Sequence, residues 1–123
     1  MPTLVFLATT DAALAESWER QLPPGRAVMR LHRDGFPPTM AAGLSAVVVL
    51  DAISELALPR SLARCPTIYV GEPRSQPFEQ ARMSERAKVY LSYEESATRL
   101  HDLLPLLEEV AEKQSMVEML TDK

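Results

Sequence analysis

The sequence is poor in the residues that several classes of protein require. Cys65 is the only cysteine, which excludes an internal disulfide and a zinc cage built from thiolates, and one free thiol is typical of a reducing compartment. No window collects the lysine and arginine side chains that a phosphate backbone attracts, and the formal net charge is -4. We therefore expect a cytoplasmic protein that makes no direct contact with nucleic acid.

Long apolar runs and glycine-rich loops are also missing. No run approaches the length that crosses a bilayer, and no basic residues precede the short apolar stretch at the N-terminus, as they would in a signal peptide. The four glycines form no phosphate-binding loop, which weighs against a nucleotide-binding Rossmann domain. His32 and His101 are far apart and lack ligand spacing, so no metal site is predicted on them.

The chain does contain enough apolar residues for one core, 46% of 123 residues. Five short β-rich segments, at residues 3–8, 27–32, 46–51, 66–71 and 87–93, alternate with segments of helical character. The predicted helices cover residues 9–22, 39–44, 54–64 and 75–83, and a long final helix follows Ser92. This alternation predicts an α/β fold: a three-layer, doubly wound, five-stranded parallel sheet of flavodoxin-like type.

Local signals predict where several helices begin. Thr9, Thr10 and Asp11 are candidate caps of the first helix, and Ser75 precedes a proline near the first turn of another. The segment from Ser92 to Glu95 has the spacing of a capping box. Within the final helix, Pro105 is expected to cause a kink or a division, because proline removes one backbone hydrogen bond.

The strand ends are where a parallel α/β sheet binds its ligands, so the residues that follow each strand are the candidate site. The five βα units, Asp51 in "VVVLDA" and the segment "VYLSY" resemble the receiver domains of two-component response regulators over nearly the whole chain. The resemblance implies that Asp51 stands at the phosphoacceptor position. It also implies an acidic pair after the first strand that binds a divalent metal, a Ser or Thr after the fourth and a Lys after the fifth.

This chain departs from that pattern at most of the implied positions. The acidic pair falls on residues 8–10, with Asp11 one residue late and in the helix cap, Gly71 stands for the hydroxyl residue, and Tyr93 stands for the lysine. Two hydroxyls do not replace two carboxylates around a hard cation, so we expect no metal and no cofactor. The degenerate-site positions are Thr9, Thr10, Asp11, Gly71 and Tyr93. Asp51 is the one implied position that is kept, and it is expected to cap a turn at the end of its strand.

These departures favour a non-catalytic pseudo-receiver, a signalling domain that is not an enzyme and acts through protein–protein interaction or dimerisation. The alternative is an atypical receiver in a phosphorelay, phosphorylated on Asp51 by a histidine kinase with Mg²⁺. A third hypothesis is a flavodoxin-like domain that binds a small ligand at the strand ends.

The C-terminal segment suggests where a partner binds. Leu107, Val110, Gln114 and Val117 follow alternating steps of three and four residues, close to a heptad seam. At ~1.5 Å per residue the final helix is longer than a five-stranded sheet can cover. We therefore divide the chain into a receiver-like domain, residues 1–111, and a helical extension, residues 112–123. The extension is expected to pair with a second copy or to lead to a further domain of a longer protein.

Overall fold

The computed structural model describes residues 4–22, 27–30, 46–51, 65–84 and 87–121, with side chains of the last segment described through Lys113. The strands are β1 (Leu4–Ala8), β2 (Val28–Arg30), β3 (Ala46–Asp51), β4 (Thr67–Val70) and β5 (Val89–Leu91). The helices in these segments are α1 (Ala12–Arg20), α2 (Gln76–Met83) and α3 (Tyr93–Thr121). The helices predicted over 39–44 and 54–64 lie outside the described residues.

The five strands form one sheet in the order β2-β1-β3-β4-β5, and every neighbouring pair is parallel. The predicted five-stranded parallel sheet is confirmed, and the order is compatible with a flavodoxin-like fold. β1 and β3 are neighbours, in register from Leu4↔Ala46 to Ala8↔Leu50, although β2 lies between them in the chain. The strand order therefore changes direction between β1 and β3, which is where open α/β sheets bind ligands.

The strands contribute alternate side chains to two apolar clusters. Val5 and Leu7 of β1 belong to the first cluster, and Phe6 and Ala8 to the second, because successive side chains of a strand point to opposite sides of the sheet. Residues of α1 and α3 complete the first cluster, and residues of α2 complete the second. The helical members are Ala15, Trp18, Leu100, Leu104, Leu107 and Ala111 in the first cluster, and Phe78 and Ala81 in the second.

Each described helix begins at a cap that the sequence indicated. The Asp11 side chain accepts hydrogen bonds from the backbone N–H groups of Ala13 and Leu14, at 3.0 and 3.2 Å. Ser75 caps α2 and accepts from the N–H of Phe78. These contacts satisfy backbone donors that have no partner within the helix.

The predicted capping box at the start of α3 is confirmed. The Ser92 N–H donates to the Glu95 carboxylate, and the Glu95 N–H donates to the Ser92 hydroxyl, both at 3.1 Å. The bond from the Ser92 N–H holds the pKa of Glu95 below its usual range. The first turn of α3 is thus ordered by local chemistry, and it carries Tyr93 to the carboxyl edge of the sheet.

α3 runs through Pro105 and is not divided there. Leu104 and Leu107, on either side of the proline, are buried in the first cluster, whereas Pro105 itself is exposed. Burial of these leucines offsets the hydrogen bond that the proline removes. Among the described segments, none forms a helix with both the length and the apolar composition of a bilayer-spanning one.

Candidate functional site

Three of the residues singled out in the sequence meet at the carboxyl edge of the sheet. Asp51 is the last residue of β3 and is 3% exposed. Thr9 follows β1, the neighbouring strand, and is 6% exposed. Tyr93 is the first residue of α3, directly after β5 and Ser92, and is half-buried. The parallel sheet brings these residues together because the carboxyl ends of its strands share one edge.

Two hydroxyl groups donate hydrogen bonds to the Asp51 carboxylate, one to each oxygen. The Thr9 hydroxyl donates to Oδ2 at 2.7 Å, and the Tyr93 hydroxyl donates to Oδ1 at 2.6 Å. Both distances are in the short range of O–H···O⁻ bonds, which are about twice as strong as neutral ones. Asp51 is therefore bonded to two of the degenerate-site positions, Thr9 and Tyr93. Because residue 52 is not described, its expected role as a turn cap stays a prediction.

Thr9 connects this carboxylate to the start of α1. Its hydroxyl oxygen accepts a hydrogen bond from the backbone N–H of Asp11 at 3.1 Å while the hydroxyl donates to Asp51. The Asp11 carboxylate is used to cap α1, as the sequence predicted, and Asp11 is exposed. In this loop the Thr9 hydroxyl therefore bonds to Asp51, while the Asp11 carboxylate bonds to the first turn of α1.

The remaining predicted positions lie at the same edge of the sheet. Gly71 follows β4, is buried, and donates its backbone N–H to the Leu91 carbonyl at 3.0 Å. Glu72 beside it is exposed, and its carbonyl accepts hydrogen bonds from the backbone and hydroxyl of Ser75. Thr10 is exposed. Gly71 thus joins β4 to β5 and offers no side-chain hydroxyl where the resemblance implies one.

Among the described residues, the hydroxyls of Thr9 and Tyr93 are two neutral donors to the Asp51 carboxylate. Within the described segments, no three histidine, cysteine, aspartate or glutamate side chains are grouped as a metal ion would need. A hard divalent cation takes oxygen ligands and usually at least one or two carboxylates. Asp51 with two hydroxyls presents one carboxylate, and each of its oxygens already accepts a strong hydrogen bond.

The predicted interaction seam is only partly at the surface. Leu107 is buried in the first cluster and belongs to the core of the domain, whereas Val110 is half-buried. Gln114 and Val117 lie in α3, at positions whose side chains are not described. Leu106, which the seam omitted, is 61% exposed.

Sequence reasoning missed the contacts that define this site, although it named the residues. It treated Thr9 and Tyr93 as positions where function had been lost. The available signal is that both are hydroxyl residues placed just after a strand. Thr9 follows β1, which neighbours β3, and Tyr93 follows β5, which is separated from β3 by β4. A donor at the end of each strand, beside an acceptor at the end of the central one, is an arrangement that parallel topology brings together.

Comparisons with known proteins identify no relative. No protein-family model, no curated protein and no solved structure matches this chain. The contacts at Asp51 and the strand order are therefore the observations from which a function is inferred.

Proposed function

We propose that this chain is a pseudo-receiver: a receiver-like signalling domain that is not an enzyme, does not undergo metal-dependent phosphorylation, and acts by binding a protein partner. The observation that carries the proposal is the pair of hydroxyl contacts at Asp51. Thr9 and Tyr93 are neutral, and they stand where the resemblance implies a metal-binding acid and a lysine. The strand order, compatible with a flavodoxin-like fold, supports the same proposal.

Phosphoryl transfer needs groups that neutralise the charge on the transferred oxygens. A tyrosine and a threonine donate hydrogen bonds but carry no positive charge and hold a hard cation poorly. The hydrogen bonds of 2.6 and 2.7 Å also draw electron density from the Asp51 oxygens, which makes them weaker nucleophiles toward a phosphorus atom. Both effects oppose the use of Asp51 as an acceptor.

The proposed architecture is a three-layer, doubly wound sandwich that ends in an extended helix. Its support is the pair of apolar clusters, one completed by α1 and α3 and the other by α2. The proposed partner surface is the outer face of α3 from Val110 onward, with Gln114 and Val117 on the same seam. The partner is a signalling protein, such as a histidine kinase, or a second copy of the chain, in the cytoplasm.

Intact-mass spectrometry after incubation with Mg²⁺ and acetyl phosphate tests the absence of phosphorylation. An ordinary receiver domain in the same tube serves as the positive control, and Asp51→Ala serves as the site control. We expect the ordinary receiver to gain one phosphoryl group and this chain to gain none. An adduct on this chain that disappears in Asp51→Ala would overturn the proposal and favour the atypical phosphoacceptor.

Light scattering after size exclusion tests whether the partner is a second copy. If it is, the chain is a dimer, and Val110→Glu converts it to a monomer because a charge enters the apolar seam. Thr98→Glu, at an exposed position of the same helix, is the matched control and should leave the dimer intact. A monomer at all concentrations would exclude self-pairing and leave a different signalling protein as the partner.

A further inference from the structure

The contacts at Asp51 continue into the junction between α1 and α3. Ser96, on the first turn of α3, is fully buried, and its hydroxyl donates to the backbone carbonyl of Tyr93 at 2.8 Å. The same hydroxyl oxygen accepts a hydrogen bond from the indole Nε1–H of Trp18 at 3.1 Å, and Trp18 is also fully buried. Tyr93 thus contacts Asp51 through its side chain and Ser96 through its backbone.

Gln21, at the C-terminal cap of α1, holds the same turn of α3. Its side-chain amide donates to the Ser96 carbonyl at 2.7 Å and accepts from the Leu100 N–H at 3.1 Å. Ser96 and Leu100 are four residues apart, the spacing at which a carbonyl and an N–H face each other in a helix. One glutamine therefore bonds to both backbone groups. The end of α1 is held to the start of α3 by these hydrogen bonds in addition to apolar packing.

These hydrogen bonds close a loop through the domain. Asp51 is bonded to Thr9, and Thr9 to the Asp11 N–H at the beginning of α1. Trp18 lies further along α1, and its indole donates to Ser96. Ser96 donates to the carbonyl of Tyr93, whose side chain donates to Asp51. We refer to this set, residues Thr9, Asp11, Trp18, Asp51, Tyr93 and Ser96, as the Asp51 circuit.

We propose that the Asp51 circuit couples the hydrogen bonding of the Asp51 carboxylate to the hydrogen bonding between α1 and α3. Tyr93 is the positioning residue, since it carries the side-chain bond to Asp51 and the backbone bond to Ser96. When its bond to the carboxylate is lost, the first turn of α3 loses one of its contacts with the end of β3, and the buried Ser96–Trp18 bond is weakened. By reciprocity, a partner that displaces α3 weakens the bond between Tyr93 and Asp51.

The coupling concerns regulation, and its biological role rests on the proposed function, in which α3 carries the partner surface. Its physical content does not depend on a partner, a metal or a phosphodonor. A failure of the coupling would leave the pseudo-receiver proposal standing, and an adduct on Asp51 would leave the coupling standing.

Hydrogen exchange of the Trp18 indole N–H, followed by NMR, tests the coupling. The chain contains one tryptophan, so the indole signal needs no assignment. Tyr93→Phe removes the hydroxyl that donates to Asp51 and keeps the Ser96 hydroxyl to which the Trp18 indole donates. We expect it to accelerate indole exchange by up to about thirtyfold, the factor that corresponds to the ~2 kcal/mol of a charge-assisted hydrogen bond, after correction for the change in global stability.

Tyr90→Phe is the matched control. Tyr90 is also a half-buried tyrosine whose hydroxyl is bonded on both sides, to the Ala81 carbonyl and the Ala87 N–H, but it packs against the second cluster. Its removal should leave corrected indole exchange unchanged. Thr9→Val removes the hydrogen bond to the other oxygen of Asp51. Like Tyr93→Phe, it should accelerate indole exchange.

The result that would overturn the coupling is equal corrected exchange in wild type, Tyr93→Phe and Thr9→Val. An acceleration of the same size in Tyr90→Phe would overturn it as well, because the effect would then follow any lost tyrosine hydroxyl. Should Tyr93→Phe fail to fold, Thr9→Val against Tyr90→Phe decides the question alone.

Discussion

Replacing Tyr93 by phenylalanine removes one hydroxyl and keeps the ring against the first cluster. The lost hydroxyl donates to Oδ1 of Asp51 at 2.6 Å, and Asp51 is 3% exposed. A hydrogen bond to a charged group contributes about 1.5–3 kcal/mol to stability. With a loss of ~2 kcal/mol and a slope of about 2 kcal/mol per molar urea, we expect the midpoint of urea unfolding to fall by about 1 M.

The assay compares this loss in two backgrounds. In Asp51→Ala the Tyr93 hydroxyl has no carboxylate to bond, so Tyr93→Phe should cost less there, by ~1.5 kcal/mol or more. Tyr90→Phe, whose hydroxyl bonds to the backbone of α2 and residue 87, should cost the same in both backgrounds. If Tyr93→Phe lowers the free energy of unfolding equally with and without Asp51, the reasoning is refuted.

Three further predictions concern the helices that support the site. Leu104→Ala should lower the free energy of unfolding by about 2–5 kcal/mol because it opens a cavity in the core, whereas Leu106→Ala, at an exposed position, should change it by less than about 0.5 kcal/mol in the same urea assay. Ser75→Ala should cost about 1 kcal/mol and lower the thermal midpoint, since the N–H of Phe78 loses its cap. The pKa of Glu95 is lowered on folding, so its ionisation stabilises the protein above the usual glutamate range, near ~4.3, and this contribution is lost as pH falls through the folded pKa. Urea unfolding at pH 7 and about pH 3 should therefore show a smaller acid loss in Glu95→Gln than in wild type. An equal loss in the two proteins would contradict the assignment of the cap.

Much of the local structure could be predicted because its causes lie within a few residues. Asp11, Ser75 and the pair Ser92–Glu95 cap helices that begin one residue later, and their side chains reach backbone donors two or three positions away. The apolar run at 46–51 became β3, a strand buried along its whole length. The parallel direction of the sheet followed from the alternation of strands with helices.

Pro105 shows where a local rule is overridden. A proline inside a helix removes a hydrogen bond, and a kink or a division of the final helix was expected at Pro105. The kink stays a prediction, and the division does not occur. α3 nevertheless continues, because Leu100, Leu104 and Leu107 are all buried in the same cluster and a continuous helix places them on one face. Packing against the sheet, rather than intrinsic helix preference, decided the outcome.

Some features of the candidate site were determined by the sequence, and others were determined by the tertiary structure. The sequence by itself determined that Asp51 ends a buried strand, that Asp11 belongs to a cap, and that hydroxyl residues rather than acids and a lysine follow β1 and β5. Only the tertiary structure decided that Thr9 and Tyr93, each 42 residues from Asp51, donate to its two oxygens. Only it decided that Trp18 meets Ser96, 78 residues away. The physical reason is that capping and strand formation depend on neighbours in the chain. Hydrogen bonds across the sheet depend instead on strand order, register and side-chain direction, which are set once the whole core is packed.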